Sequence, residues 1–204
     1  MLEADLLLKL MQSRRDVRGN SFLDKRIEKE KLEMILKAGI SAPSVGYSQP
    51  WKFIVIDNER VKNEIHENFA IENEKAKQIF EKSELYKNLK LEGIKEAPLN
   101  IAVLYEDSNE DILGMTSMSS MGEYSVVCAV ENMWLMARSL NIGLGWVSIL
   151  DEQKILKSIK APKNHKLIAY LCLGYVDGFK DEPELKTLRW KEEKKLNECV
   201  EYIC

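Results

Sequence analysis

Ala42-Pro43-Ser44-Val45-Gly46-Tyr47-Ser48-Gln49-Pro50-Trp51 is the stretch from which the rest of the chain is best read. Ahead of it, Glu28 to Ser41 places Leu32, Ile35, Leu36 and Gly39 on one helical face and lysines and glutamates on the other. Behind it, Lys52-Phe53-Ile54-Val55-Ile56 reads as a strand. Proline fixes φ and lacks an N–H, so the remaining amides of such a loop can turn toward a ligand. Gly46 permits close backbone approach, and the Gln49 side chain supplies both amide donors and an acceptor. These groups suit the edge of a flat, hydrogen-bonding heterocycle such as a flavin ring. An ordinary helix-to-strand connection would use the same residue types.

Moving outward toward the N-terminus, Arg14-Arg15-Asp16-Val17-Arg18 gathers three guanidinium groups in five residues. Each presents a planar fork of donors that stays charged, which makes the run a candidate phosphate clamp as well as a candidate surface charge cluster. Before it, Met1 to Met11 carries Leu6-Leu7-Leu8 behind acidic Glu3 and Asp5. With no basic n-region and no small-residue cleavage site, it reads as an amphipathic helix for a core or subunit contact rather than a secretory signal.

Composition sets the outer limits. A length of 204 residues with 45% apolar content supports one domain with a substantial core. A net charge of −3 argues against general nucleic-acid binding while permitting a local basic pocket. No apolar run approaches the roughly 20 residues needed to cross a bilayer. The four cysteines include no C-x-x-C, and the histidines are only His66 and His165, so no metal site is expected. Cytoplasm is the default compartment.

Farther along, Gly19 to Asp24 reads as a loop and Asn58 to Ser83 as one or two exposed helices. Glu84 to Ala97 is less periodic, a lid or a packed helix ending before Pro98. Leu99 to Tyr105 fits a buried strand, and Asp107 to Gly122, with Met115, Met118 and Met121, an irregular loop. Glu123 to Leu140 is apolar almost all round, so it is expected as a central helix or one buried in a dimer interface, ended by Asn141 and Gly143. Gly145 to Ile149 reads as a strand. Gly143-Leu144-Gly145 fails as a dinucleotide fingerprint, because it follows a helix and opens a strand. Asp151 to Ile159 is a short helix, Lys166 to Val176 a buried strand, and Asp181-Glu182-Pro183-Glu184-Leu185 a break in regular structure. The polar tail, residues 177–204, could wrap a neighbouring subunit.

The arginine run and the Pro-Ser…Gln-Pro-Trp segment, in this order, resemble the FMN-dependent nitroreductase superfamily, which typically has Ser where this chain has Asp16. That departure resembles the 5,6-dimethylbenzimidazole synthase branch. So do Leu89-Lys90-Leu91-Glu92-Gly93-Ile94, Glu96-Ala97-Pro98-Leu99-Asn100, Tyr124 to Asn132, Gly145 to Ile149, Leu171 to Gly174 and Asp181 to Leu185. The loop before Glu123 departs from the branch, with Met115-Thr116-Ser117-Met118-Ser119 where an Arg and a His are usual.

The resemblance implies an α+β fold, with a mixed, mainly antiparallel sheet flanked by helices, in an intertwined homodimer with FMN at the subunit interface. It assigns Arg14, Arg15 and Arg18, with Asp16 and Val17 between them, to the phosphate and ribityl chain. Pro43, Ser44 and Gln49 would edge the ring, and Gly145, Trp146, Val147 and Ser148 would line its other side. Arg189 or Lys191 would add a C-terminal basic contact. The implied reaction is attack of molecular oxygen on reduced FMN and its fragmentation to 5,6-dimethylbenzimidazole, with erythrose 4-phosphate lost. In it Asp16 would be the acid/base group and Ser148 would orient the flavin. The alternatives are an NAD(P)H-dependent nitroreductase or quinone reductase that recycles its FMN, and a non-catalytic flavin-binding protein. A separate flavin reductase would be the partner supplying reduced FMN.

Overall fold

The computed structural model describes residues 2–80, 84–108 and 110–203. Ser83, the expected end of the Asn58 to Ser83 helices, lies outside that range, as do Met1, Asn109 and Cys204. Four strands, β1 (Trp51–Ile56), β2 (Leu99–Glu106), β3 (Ile142–Val147) and β4 (His165–Tyr175), form one sheet in the order β1-β2-β4-β3. Each of these pairings is antiparallel, and a parallel bridge joins Asp16 to Leu144.

Strand period sorts the core into two layers. Ile101, Val103 and Tyr105 of β2, with Ala169, Leu171 and Leu173 of β4, face one side. There they meet Ile35 of α2 (Lys29–Ile40) and Val126, Val130, Met133 and Ala137 of α5 (Met121–Ser139). Ala102, Leu104, Tyr170 and Cys172 face the other side. They pack on Ile65 and Phe69 of α3 (Glu59–Ile79) and Ile155 of α6 (Glu152–Ser158). Among the described residues no helix is long and apolar enough to cross a membrane.

Asn58–Ser83 forms one helix over its described part, N-capped by the Asn58 side chain, which accepts from Val61 N–H at 3.2 Å. Three sequence expectations need correction. Residues 84–97 are not a packed helix: α4 (Glu84–Asn88) stops after five residues, and an irregular stretch follows up to Pro98. Gly143 does not terminate α5; Asn141, at φ 55°, makes the left-handed turn and Gly143 already lies inside β3. β3 therefore starts earlier than Gly145 and ends at Val147, leaving Ser148 and Ile149 beyond it. Pro183 does not merely break structure either. It is the N-cap residue of α7 (Glu184–Thr187), where its missing N–H costs nothing.

The first helix, α1 (Glu3–Ser13), has no buried residue, and Leu6, Leu7, Leu8 and Met11 are all exposed. On α5, Tyr124, Val127, Cys128 and Glu131 form an exposed, largely apolar stripe. The helix expected to be central or buried in a dimer interface thus buries one face against its own chain and leaves an apolar stripe on the other exposed.

Candidate functional site

Residues 14–18 leave the end of α1 and run along β3. Val17 N–H donates to Leu144 O at 3.0 Å, and the Asp16 carboxylate accepts from Trp146 N–H at 3.1 Å. That approach requires glycine. A Cβ on Gly145 would lie 2.1 Å from Val17 O, and one on Gly143 would lie 3.0 Å from the Val17 side chain. The two glycines that mimic a dinucleotide fingerprint therefore make room for the arginine segment.

The segment lines a cavity of about 200 Å³. Arg14, Arg15, Asp16, Val17 and Arg18 form one wall, Leu89, Lys90 and Leu91 a second, and Phe179 with Glu182 to Leu185 a third. The third wall is held on the chain by Trp190, which packs edge-on against Phe80 at 5.7 Å between ring centroids. Residues 177–190 thus fold back on their own subunit, and the exposed apolar side chains of the tail, Leu196, Val200, Tyr202 and Ile203, come after them.

The three arginines are not equivalent. Arg15 spends its donors on backbone carbonyls: Gln12 O at 2.7 Å, Arg14 O at 2.6 Å, Lys180 O at 2.9 Å, and Asp181 O. It is a strut joining the end of α1 to the third wall. Arg18 pairs with Asp16 and donates to Leu91 O at 3.0 Å. Arg14 is held more loosely. It stacks over Trp134 at 4.6 Å from the ring centroid, with Glu131 4.0 Å away. Burial pushes the Asp16 carboxyl above its ordinary value, against the opposing pull of Arg18, the Trp146 N–H and Arg14.

The loop from Pro43 to Gln49 lies elsewhere in the chain. Ser44 Oγ accepts from Gln49 N–H at 3.1 Å, and Val45 N–H donates to Ser125 Oγ, also at 3.1 Å. Gly46, Tyr47 and Gln49 all have positive φ, a conformation that strains the two non-glycine residues, and Tyr47 is 82% exposed. Ser125 and Trp134, which anchor the loop and Arg14, stand roughly two and a half turns apart on α5, or about 13 Å along its axis. Within one chain the loop and the arginines do not meet; they occupy opposite ends of the same helix.

Gly145 is sealed beneath Val17, Trp146 is half-buried near Trp134, Val147 is buried, and Ser148 is exposed just past β3. None of the four lines the cavity, and neither do Arg189 and Lys191. Arg189 sits at φ 55° in the turn after α7. Sequence reasoning gave no role to Phe179, Lys180 or Trp134, because only the fold brings them to the arginines. Leu89 to Leu91 were visible as part of the expected lid.

A match to the Nitroreductase family spans residues 11–175. The chain belongs to that family. Among its relatives are 5,6-dimethylbenzimidazole synthases. That of Rhodospirillum rubrum is 38% identical over 186 residues, covering 89% of this chain and 87% of the relative. That of Rhodobacter capsulatus is 33% identical over 192 residues, covering 92% of each. Among solved structures, a nitroreductase with bound FMN from Bacteroides fragilis superposes on this nitroreductase-family chain with a TM-score of 0.62 at 24% identity, covering 100% of both chains. The α+β architecture expected from the sequence is that of the family.

Proposed function

We propose that this protein catalyses the oxygen-dependent fragmentation of reduced FMN to 5,6-dimethylbenzimidazole, the compound that the names of its relatives carry. One observation carries the reading: a carboxylate, Asp16, lies partly buried in the wall of an arginine-lined cavity, paired with Arg18, where the broader family pattern has a serine.

The residues present fit FMN. A cavity of about 200 Å³ falls short of the roughly 300–1,000 Å³ of a complete small-ligand pocket, so it suits one end of a larger ligand. Its cations mark that end as the phosphate, with Arg14 the group best able to turn to it and Arg18 behind. Bound FMN supplies the reactive ring system and the carbon that becomes the product. Asp16 holds or moves a proton near the ribityl chain; its raised pKa brings it toward the range where a carboxyl exchanges protons readily. Leu89, Leu91 and Phe179 exclude water from that end of the site.

The ring end is contributed by a second copy. Of the exposed stripe, Val127, Cys128 and Glu131 lie on α5 between the loop anchor at Ser125 and the arginine anchor at Trp134, with Tyr124 just ahead of Ser125. A two-fold that crosses α5 on its own mate in antiparallel fashion sets the first half of one helix against the second half of the other. Pro43, Ser44 and Gln49 of one subunit then approach Arg14 of the next, and the exposed faces of α1 and α5 are covered together. The tail beyond Trp190 extends onto the same partner, and each subunit is one domain.

A recycling nitroreductase is the second reading, favoured by the Met115 to Ser119 loop, which lacks the charged residues usual in the resembled branch. Excess reduced FMN in air separates the two. Multiple turnovers to the aromatic product, lost in Asp16→Asn, support fragmentation. Nitro-compound-dependent NAD(P)H oxidation with all flavin recovered supports the alternative.

A further inference from the structure

Glu92 is a carboxylate buried to 2% exposure on the irregular stretch after α4, outside the set of residues assigned above. Isolated burial of a carboxylate is costly, so its partners define its purpose. One oxygen, Oε2, accepts from Ile94 N–H at 2.7 Å. The other pairs with Lys90 Nζ, which also donates to Glu96 Oε1 at 2.7 Å, and His66 Nε2 stands 4.0 Å from it. The Glu92 main chain is tied as well, its carbonyl accepting from Gly19 N–H at 2.9 Å.

The side-chain bonds brace residues 90–96 internally, and the Glu92 carbonyl ties that braced stretch to Gly19, the residue next to Arg18. Leu91 O is the acceptor that the Arg18 guanidinium reaches at 3.0 Å, on the opposite side from Asp16. Lys90 and Leu91 are also cavity wall. A Cβ on Gly19 would come within 2.6 Å of the Glu96 carboxyl end and 2.8 Å of the Lys90 stem, so these two side chains lie directly against the residue after Arg18.

We propose that Glu92 is a positioning residue: by clamping Lys90 and the Ile94 amide it fixes the Leu91 carbonyl, which holds Arg18 on Asp16 and keeps the cationic end of the flavin cavity in shape. The inference rests on the FMN site proposed above. Lys90 is the exposed half of the clamp, and Glu96 is an outer tie that shares it. Glu92 acts through Arg18 and does not touch the flavin.

The test is a thermodynamic cycle on oxidised FMN affinity, read from quenching of flavin fluorescence with no turnover needed. Glu92→Gln, which keeps an acceptor for Ile94 N–H but loses the charge on Lys90, is expected to weaken binding at least fivefold. Glu96→Gln should change it less than twofold. The decisive term is coupling. Combined with Arg18→Lys, Glu92→Gln should add less than twofold to the loss from Arg18→Lys alone, because the guanidinium geometry it protects is already gone. A purely structural Glu92 gives multiplicative losses in the double variant, which overturns the proposal, as does unchanged affinity in Glu92→Gln. Should Glu92→Gln fail to fold, Lys90→Met opens the same clamp from its exposed side and must show the same coupling to Arg18→Lys. If the wild-type protein does not bind FMN at all, the reading of the site fails; if it binds and the cycle is additive, only the role of Glu92 fails.

Discussion

Replacing Gly145 by alanine tests the seam on which the site is built. The new Cβ would stand 2.1 Å from Val17 O and 3.2 Å from Val17 C, and both are backbone atoms that no rotamer change can move aside. An ordinary C···O contact is about 3.3–3.6 Å, so the arginine segment must retreat from β3 by roughly 1 Å. That retreat stretches the Val17–Leu144 and Trp146–Asp16 hydrogen bonds together. Overpacking costs about 1–3 kcal/mol and each of the two weakened hydrogen bonds about 0.5–1.5 kcal/mol, so a loss of about 2–6 kcal/mol is expected. In a chain of this size that lowers Tm by about 4–24 °C. It also misplaces Asp16 and Arg18 by a distance that typically costs about 100-fold in turnover. Thermal unfolding by circular dichroism and FMN titration read both effects. Gly178→Ala, where an added Cβ meets nothing within 4 Å, is the stability control. A Gly145→Ala protein that melts within about 1 °C of wild type and binds FMN equally well would refute the reasoning.

The unequal arginines separate in the same assays. Arg14→Ala should weaken FMN binding about 10- to 100-fold, the loss of one charge-assisted contact, with little change in Tm. Arg15→Ala should act first on stability, because it releases the carbonyls of Lys180 and Asp181 and loosens the third wall. The reverse pattern would contradict their assignment. Asp16→Asn should lower product formation by about 10²- to 10⁴-fold, the usual worth of a general acid/base, while FMN affinity changes only a few-fold. The same residue carries a pH signature. Its folded-state pKa is raised by burial, so between the ordinary value of 3.8 and the raised one the folded protein binds more protons than the unfolded chain. Stability from this group therefore falls as pH rises through that window, and denaturant titrations should show the wild-type minus Asp16→Asn difference falling with it. Val127→Glu places a charge on the exposed stripe of α5 and should yield a monomer in sedimentation that no longer retains FMN. A dimer with normal affinity would exclude that face as the interface.

Much of the fold was legible because the sequence patterns were strong. The period of three to four residues in Leu32, Ile35 and Leu36 located α2, and the apolar run Leu167 to Gly174 located β4. Boundaries failed where long-range packing overrode local signals. Gly143 reads as a helix stop, yet it belongs to β3 because Val17 and Val176 crowd the position. The site divides in the same way. Arg14 to Arg18 are adjacent in sequence and together line one cavity wall, so the motif could be read from its spacing alone. Arg15's role as a strut depends on carbonyls more than 160 residues away, at Lys180 and Asp181, which no local pattern encodes. Pro43, Ser44 and Gln49 were correctly picked out as an unusual loop, but their distance from the arginines along α5 shows only in three dimensions.

The central claim is that this chain consumes its flavin. Reduced FMN should be mixed with the protein in air-saturated buffer, and both flavin and 5,6-dimethylbenzimidazole quantified by chromatography as the reaction runs. The account predicts one molecule of 5,6-dimethylbenzimidazole for each FMN lost, over more turnovers than there are sites. Quantitative recovery of intact, oxidised FMN with no aromatic product would contradict it.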